Sequence, residues 1–346
     1  MDKEYTERFQ KIETELERWL PEETDVNWAE KVFGEFGTKI DLESTNNLLA
    51  PLEELVFRGG KRWRPLLMTL ICETLCGGDA AIPLSPVVEL SHNASLIHDD
   101  IEDGSDERRG KPSIHKLFGV DVALNAGAFF YFLASTCIES YSFEKKELLY
   151  ISWMECMRKL HLGQSMDINW HRNLTIVPTL DEYYLMCAMK TGSLVRLATE
   201  LGAHAAGASK EVIKLLGNTA DKMGIGFQIL DDVKNLSTGV IGKKRGDDIV
   251  EGKKSLPVLL YLNKYPEKRK KVFYCFHEAK REGYSVPEVE ELIDILAGAG
   301  VFEEASRIGE MFLKEIKEVF HSREFSGVPI NNDAHALLDG FIKMIS

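Results

Sequence analysis

Three aspartates at the end of an apolar segment are the side chains of this sequence best suited to metal chemistry. Asp99, Asp100 and Asp103 stand at relative positions 0, 1 and 4. On an α-helix, residues three and four positions apart share one face, where like charges repel and weaken a helix that has no ligand. A bound cation removes that repulsion. The spacing therefore indicates a site for a hard divalent ion, which prefers carboxylate oxygens.

Two arginines follow the acidic trio and extend this interpretation. Mg²⁺ keeps several waters and is usually held by one or two carboxylates together with substrate phosphates. Guanidinium groups match phosphate oxygens in a two-pronged geometry, and Arg108 and Arg109 follow the trio closely. Together these residues predict a magnesium-bridged polyphosphate site. The alternative is a solvated acidic helix end, which is disfavoured because residues 87–97 are largely apolar at helical spacing.

A second acidic group repeats the pattern later in the chain. Asp231, Asp232 and Asn235 have the same relative positions as the first trio and again end an apolar segment. Helical proteins build metal sites from side chains on facing helices. The two acidic groups could therefore face each other across the cavity of a helical bundle.

Basic residues stand where a phosphate site would need them. Taken singly, each basic run is more often a solvated surface. Together with two acidic groups, they indicate two anionic substrates, one clamped through metal and one bound directly by lysine and arginine. The residues in question are Lys61 and Arg64 in the sequence GGKRWRP, Lys190 beside Thr191, and Lys243 and Lys253 on either side of 247–248.

The elements that must carry these groups are helices. Apolar residues recur at three- and four-residue steps through most of the chain, and strand signals are nearly absent. We predict one all-α domain over residues 1–346, with about a dozen helices and Asp181 as the N-cap of one of them. The predicted spans are the first twenty residues, 48–57, 66–76, 86–103, 120–141, 148–170, 182–202 and 210–233, with a helix near Pro257 and two or three more after it.

Composition excludes several other functions. The net charge of −13 argues against binding to nucleic acid, which requires a basic surface. The six cysteines form neither a CxxC pair nor a zinc-type cluster, so no disulfide framework is expected and a reducing cytoplasm fits. We find no secretory signal at the N-terminus and no uncharged run of about 18 apolar residues, so no membrane span is expected.

On these motifs, the sequence resembles the trans-isoprenyl diphosphate synthases, or polyprenyl synthetases, over roughly residues 55–260. The first acidic trio with the two arginines matches the family's first Asp-rich motif, and the second acidic group with Gln228 matches the second. Further matches are GGKRxRP at 59–65, GQxxD at 163–167, Lys-Thr at 190–191 and the segment from 246 to 257. Each motif is weak alone, and six in order are specific.

The resemblance implies a single large α-helical bundle of the isoprenoid synthase type with a central apolar cavity, usually dimeric. It also implies three Mg²⁺ ions that bridge an allylic diphosphate to both Asp-rich motifs. The metal ligands would be Asp99, Asp103 and Asp231, supported by Asp100 and Asp232. Asn235 replaces the family's last aspartate, and its uncharged amide could ligate only weakly, through water.

The resemblance assigns the remaining site residues to two substrates, isopentenyl diphosphate and an allylic diphosphate. The allylic diphosphate would be held by Arg108, Lys190 and Lys253, with Lys243 assisting and Thr191 beside Lys190. Isopentenyl diphosphate would be held by Lys61, Arg64, His92 and Arg109. Gln228 would lie near the reacting carbons of a 1′-4 condensation that yields a trans-prenyl diphosphate.

Product length is expected to depend on side chains before Asp99. One helical turn rises about 5.4 Å, comparable to one isoprene unit. Ala94 and Ser95 lie one turn before Asp99 and Ser91 lies a turn deeper, where farnesyl synthases usually carry aromatic residues. We therefore predict geranylgeranyl diphosphate (C20). The alternatives are a farnesyl (C15) or longer-chain (C25–C40) synthase, a class I terpene cyclase, and a non-catalytic subunit of a hetero-oligomeric synthase.

Overall fold

The computed structural model describes residues 3–239 and 244–345, and these residues are almost entirely helical. They form 17 α-helices, with short 3₁₀ segments and one π-helical turn. The α-helices up to the first acidic trio are α1 (Lys3–Trp19), α2 (Val26–Phe33), α3 (Leu42–Phe57), α4 (Trp63–Thr74) and α5 (Ser85–Asp103). Those that follow are α6 (Ile114–Phe118), α7 (Val120–Ser140), α8 (Lys146–Arg172), α9 (Leu180–Cys187), α10 (Ser193–Ala205) and α11 (Lys210–Ser237). The last are α12 (Asp247–Glu251), α13 (Leu256–Lys264), α14 (Arg269–Glu282), α15 (Pro287–Gly298), α16 (Val301–Glu318) and α17 (Asn332–Ile345).

The chain divides into two compact units. Unit 1 contains the described part of Met1–Trp153 together with Leu197–Ser209 and Val328–Leu338. Unit 2 contains Met154–Arg196, the described part of Lys210–Gly327, and the described residues from Asp339 onward. The first Asp-rich motif lies in unit 1 and the second in unit 2. The expectation of a single domain over 1–346 stays a prediction.

Unit 1 is built around α4, whose residues are buried along the whole helix. Helix α5, which carries the first acidic trio, packs on α4, α7 and α1, and α3 also packs on α7. The apolar stripe of α1 contributes the fully buried Ile12 and Leu16 to this core. Close packing on all sides restricts the movement of α4. Helix α4 and its neighbours therefore give the site residues a fixed support.

Unit 2 is built around α11, which packs on α16 and on the π-helical turn Ala188–Gly192. A β-carbon on Gly224 would lie 2.2 Å from the α-carbon of Gly192, closer than any real side chain allows. The backbones of α11 and the π turn therefore touch directly. This contact holds Lys190 and Thr191 beside the helix that carries the second acidic group.

Several sequence predictions were wrong in detail. The N-cap of α9 is Thr179, not Asp181, because Thr179 and Glu182 form a reciprocal capping box. The helix predicted over 182–202 is interrupted by the π turn. Helix α12 lies in a part of the chain for which no helix was predicted, and four α-helices rather than two or three follow α13. The N-cap error is local, because a capping box can be read from the sequence, whereas the π turn depends on its backbone contact with α11.

Helix α7 is the only described helix long and apolar enough to cross a membrane. Half of its apolar window is buried inside the protein. A core helix meets the same criterion of length and composition, so this is weak evidence for a membrane span.

Candidate active site

The first acidic trio lies at the C-terminus of α5, where Gly104 ends the helix in a left-handed conformation (φ +68°). Asp99 and Asp103 are partly exposed there, whereas Asp100 is fully buried. The trio therefore divides by environment. Two carboxylates can reach a bound group, and the third faces the protein.

Asp100 is held by Arg108. The guanidinium Nε of Arg108 donates to Asp100 Oδ1 at 2.9 Å, its Nη2 contacts the same oxygen, and Nη2 lies 3.6 Å from Asp99 Oδ2. Burial alone would lower the pKa of Arg108, but the charge and hydrogen bond of Asp100, together with the charges of Asp99 and Asp103, outweigh burial and raise the pKa. Arg108 thus stays charged while it orients one aspartate and borders another. Asp100 contacts a protein cation, and its supporting role at the metal stays a prediction.

A two-residue hairpin aims the arginine pair in different directions. Glu107–Arg108 pairs antiparallel with Lys111–Pro112, and the turn uses positive φ at Arg109 (+55°) and Gly110 (+73°). Arg109 Nη1 donates to the carbonyl of Leu55 at 2.8 Å. Arg108 therefore faces the acidic trio, whereas Arg109 lies against the C-terminal end of α3.

The basic loop before α4 brings Arg64 to His92. Arg64 Nη1 lies 3.2 Å from His92 Nε2. Burial, reinforced by the charge of Arg64, lowers the pKa of His92 well below its usual value. Because arginine can only donate, the neutral ring must accept at Nε2. Arg64 is 8% exposed, and Lys61 is exposed at the surface of the same loop.

In unit 2, Asp232 is the centre of a buried hydrogen-bond network. Its Oδ2 accepts from the hydroxyl of Tyr183 at 2.6 Å and from the backbone N–H of Leu256 at 3.3 Å. Its Oδ1 accepts from Gln228 Nε2 at 2.9 Å, and Gln228 Oε1 accepts from Thr191 Oγ1 at 2.7 Å. Burial raises the pKa of Asp232 to about 6, against the effect of these hydrogen bonds. The network joins four side chains of the site into one rigid group.

Lys190 reaches a buried carboxylate on α8. Its Nζ lies 2.6 Å from Oδ2 of Asp167. Burial alone would raise the pKa of Asp167, but the charges of Lys190 and Lys253 lower it. A β-carbon at Gly163 would lie 2.4 Å from the backbone nitrogen of Lys190, so only glycine allows α8 to pass so close. Lys253 in turn contacts Glu251.

Asn235 is engaged with the start of α12. Its Oδ1 lies 3.3 Å from the backbone nitrogen of Asp248, and its carbonyl accepts from Gly246 at 3.1 Å. Asn235 is 2% exposed. These contacts anchor the segment 246–248 and leave the water-mediated metal role of Asn235 a prediction.

The predicted chain-length residues differ in their surroundings. Ala94 is fully buried, and Ser91 is fully buried with its hydroxyl 3.2 Å from the indole Nε1 of Trp153. Ser95 donates to the carbonyl of His92 at 2.7 Å. Trp153 therefore occupies the space beside Ser91, two turns before Asp99.

Two residues of these networks were not predicted as site residues. Asp167 was named only as the last position of the GQxxD match, and Tyr183 was not named. The GQxxD match was the sequence signal for Asp167, and the structure adds its burial, which requires a cationic partner. No local pattern marks Tyr183. The prediction for Lys243 falls outside the described residues.

The carboxylates of each unit, taken separately, suit a divalent metal held partly by substrate. In unit 1, Asp99 and Asp103 offer hard carboxylate oxygens on one face of α5, and in unit 2, Asp231 lies on α11. Among the residues of 3–239 and 244–345, no three His, Cys, Asp or Glu side chains form a cluster that could hold a metal ion. Mg²⁺ commonly takes only one or two carboxylates and completes its shell with phosphate oxygens and water, so these residues fit it.

The helical fold and its acidic and basic groups are those of a prenyltransferase. The chain belongs to the polyprenyl synthetase family, whose model, described as "Polyprenyl synthetase", matches residues 45–296. It is 35% identical over 278 residues to a short chain isoprenyl diphosphate synthase of Methanocaldococcus jannaschii, covering 79% of this chain and 82% of the relative.

Two further comparisons agree with this family. A geranylgeranyl pyrophosphate synthase of Neocamarosporium betae is 30% identical over 277 residues, covering 79% of this chain and 77% of the relative. The crystal structure of a geranylgeranyl pyrophosphate synthetase from Pyrococcus horikoshii superimposes with a TM-score of 0.81 at 28% identity, covering 99% of each chain. The predicted family, all-α fold and prenyltransferase activity are confirmed, and the family excludes the terpene cyclase alternative.

Proposed function

We propose that this chain condenses isopentenyl diphosphate with an allylic diphosphate, 1′-4, to give geranylgeranyl diphosphate. The observation that carries the proposal is the presence of two different cationic groups in unit 1. Arg108 is paired with the carboxylates of the acidic trio, whereas Arg64 lies against the neutral ring of His92. The first group suits a diphosphate that arrives with metal. The second suits a diphosphate bound directly.

The residues would divide the reaction between them. Asp99, Asp103 and Asp231 would hold Mg²⁺, which when bound stabilises negative charge on the departing diphosphate. Arg108, Lys190 and Lys253 would contact that diphosphate directly, and Lys61, Arg64 and His92 would hold isopentenyl diphosphate against the reacting carbon.

The bond changes need no protein nucleophile. The allylic carbon–oxygen bond breaks heterolytically and the diphosphate leaves with the electron pair. The double bond of isopentenyl diphosphate then attacks the allylic carbon. The released diphosphate then takes a proton from the adjacent carbon, and the electrons of that carbon–hydrogen bond form the new double bond. The network of Thr191, Gln228 and Asp232 keeps the Gln228 amide fixed, consistent with its predicted position near the reacting carbons.

The C20 product is supported by relatives and by the residues of α5. The relative from Neocamarosporium betae and the structure from Pyrococcus horikoshii are both named as geranylgeranyl pyrophosphate synthases. Ala94 and Ser95 are small, and Trp153 lies behind Ser91, where it would stop a chain that has passed them.

A product assay tests the proposal. The purified chain, given farnesyl and isopentenyl diphosphates with Mg²⁺, should yield mainly the C20 product by chromatography, and geranyl and dimethylallyl starters should converge on it. Mainly C30 or longer products would refute the assigned length. Absence of turnover by the chain alone would favour the non-catalytic subunit, and turnover without added metal would refute the role of the carboxylates.

We also propose that the enzyme is a cytoplasmic homodimer that buries part of α7. Val120, Leu124 and Phe132 are 53%, 53% and 66% exposed on that helix, a large apolar exposure for a monomer. Sedimentation of the wild type should give twice the mass of one chain. The Leu124→Lys variant should give a lower mass. Asn125→Lys, on the same helix but polar already, is the matched control. A wild-type monomer at micromolar concentration would refute the proposal.

A further inference from the structure

Arg62 differs from the other cations of the basic loop because its side chain is enclosed. The residue is 4% exposed and has a left-handed backbone with φ +42°, a conformation that is unfavourable for a residue with a side chain. Its neighbours Lys61 and Arg64 are the predicted ligands of isopentenyl diphosphate. A strained residue between two ligands persists only when its surroundings hold it there.

Three acceptors hold the Arg62 guanidinium. Nη1 donates to Glu89 Oε1 at 2.9 Å, Nε donates to Glu13 Oε1 at 2.8 Å, and Nη2 donates to the carbonyl of Val56 at 2.7 Å. These acceptors come from α5, α1 and α3 respectively. One side chain thus joins three helices of unit 1 at the base of the loop.

Glu89 ties this junction to the helix that carries His92. Its side chain is 3% exposed, and Oε1 also accepts from Asn93 Nδ2 at 3.1 Å. A buried carboxylate without a cation is costly, so Arg62 and Glu89 depend on each other. The pair therefore fixes the spacing between the basic loop and the first turns of α5.

Glu13 brings the N-terminal helix into the same junction. Helix α1 lies outside the segment 45–296 that defines the family match. Elsewhere along α1, Arg8 Nε donates to Glu73 Oε1 of α4 at 2.9 Å, and Lys11 Nζ lies 2.5 Å from Asp79 Oδ2. The contact of Glu13 reaches the basic loop through Arg62.

The guanidinium of Arg62 also borders the other predicted ligand. A β-carbon placed on Gly60 would lie 3.2 Å from Arg62 Nη1 and 3.3 Å from Arg109 Cζ. Both arginine side chains therefore enclose Gly60 from the same side, which limits where the Arg109 guanidinium can go.

From these contacts we infer that Arg62 is a positioning residue for the isopentenyl diphosphate pocket, and that α1 contributes to affinity for that substrate through Glu13. Arg62 itself does not contact the diphosphate. Held by Glu13 and Glu89, it fixes the backbone that carries Lys61 and Arg64. The inference rests on the proposed function, because it assumes that these residues bind isopentenyl diphosphate.

The test is a comparison of KM values for the two substrates in Glu13→Gln, which keeps the shape of the side chain and removes its charge. We expect KM for isopentenyl diphosphate to rise about three- to tenfold, the effect of one weakened charge-assisted hydrogen bond. KM for farnesyl diphosphate and kcat should stay within about twofold. Lys11→Gln is the matched control, since it removes another α1 ion pair of unit 1 without touching Arg62.

A double-mutant cycle separates the Arg62 contact from general loosening of α1. Arg62→Lys keeps the charge but cannot reach all three acceptors, so it should raise KM for isopentenyl diphosphate. The double variant with Glu13→Gln should raise that KM by less than the product of the two single effects. Far-ultraviolet circular dichroism confirms that each variant is folded.

Three results would overturn the inference: an unchanged KM for isopentenyl diphosphate in Glu13→Gln, an equal rise for both substrates, or an equal rise in Lys11→Gln. A wild-type chain that makes no prenyl diphosphate would instead overturn the proposed function, and the inference with it. Normal wild-type turnover with any of the three results leaves the proposed function standing.

Discussion

Replacing Tyr183 by phenylalanine keeps the packing of the ring and removes the hydroxyl. The change should lower the free energy of unfolding of unit 2 by about 2 kcal/mol. The Tyr183 hydroxyl is buried and donates to Asp232 Oδ2 at 2.6 Å. A hydrogen bond to a charged group contributes about 1.5–3 kcal/mol, and its loss leaves the acceptor buried. The value falls in the lower half of that range because Gln228 and the Leu256 N–H still donate to the same carboxylate.

Urea unfolding at pH 8 without metal is the assay. The pKa of Asp232 is about 6, so its carboxylate is ionised at pH 8 and the hydrogen bond is at full strength. The midpoint should fall with an unchanged slope, because the same surface is exposed on unfolding. Tyr184→Phe is the control. Its ring packs edge to face on Phe312 at 5.3 Å, and its loss of a hydroxyl should change stability by less than about 0.5 kcal/mol.

Equal midpoints for Tyr183→Phe and Tyr184→Phe would refute the stabilising role of the Tyr183 hydroxyl. A destabilised Tyr183→Phe with unchanged kcat would refute its role in the network, since the Asp232 carboxylate that loses its donor also accepts from Gln228. A fall in kcat of about tenfold with little change in KM is the expected result, because one loosened hydrogen bond in the network is worth about 1 kcal/mol or more.

Three further predictions follow from single contacts. Gly163→Ala should destabilise the protein by about 2 kcal/mol or more in urea, because its β-carbon would lie 2.4 Å from the Lys190 nitrogen, whereas Gly298→Ala has open space and should be neutral or stabilising. Burial lowers the pKa of Lys254 to about 8. Between pH 8 and about 10.5 the unfolded chain therefore binds more protons than the folded protein, and this group adds up to about 3 kcal/mol to the free energy of unfolding as pH rises. Lys254→Met should abolish that rise. The measurement is the free energy of unfolding of wild type and variant as a function of pH, and the same pH dependence in both proteins would contradict the prediction. Ala94→Phe should shorten the product, and an unchanged chromatogram would remove Ala94 from the chain-length residues.

Apolar spacing predicted the long helices well because their stripes face a core. The span predicted over 86–103 is α5 at Ser85–Asp103, and that over 120–141 is α7 at Val120–Ser140. The spacing of the acidic trio then fixed which carboxylates share a face. Spacing carried no information on the π turn at Ala188–Gly192, which exists because Gly192 and Gly224 bring two backbones together.

Roles within a motif were harder to predict than the motif itself. Asp99 and Asp100 are neighbours with the same chemistry, and only the hairpin that turns Arg108 back onto α5 distinguishes the buried carboxylate from the partly exposed one. That turn depends on positive φ at Arg109, a conformation that the local sequence does not predict for arginine. Tyr183 reaches Asp232 across a sequence separation of 49 residues, beyond any helical periodicity.

The direct backbone contact of Gly192 with Gly224 also bears on how this enzyme can be changed. Neither position can accept even a methyl group, so substitutions at the contact would disrupt the scaffold of Lys190 and the second acidic group rather than tune it. Ser95 on α5, by comparison, is partly exposed. Mutant libraries that seek new products should therefore vary α5 and leave the glycine contact intact, so that diversity is confined to substrate fit.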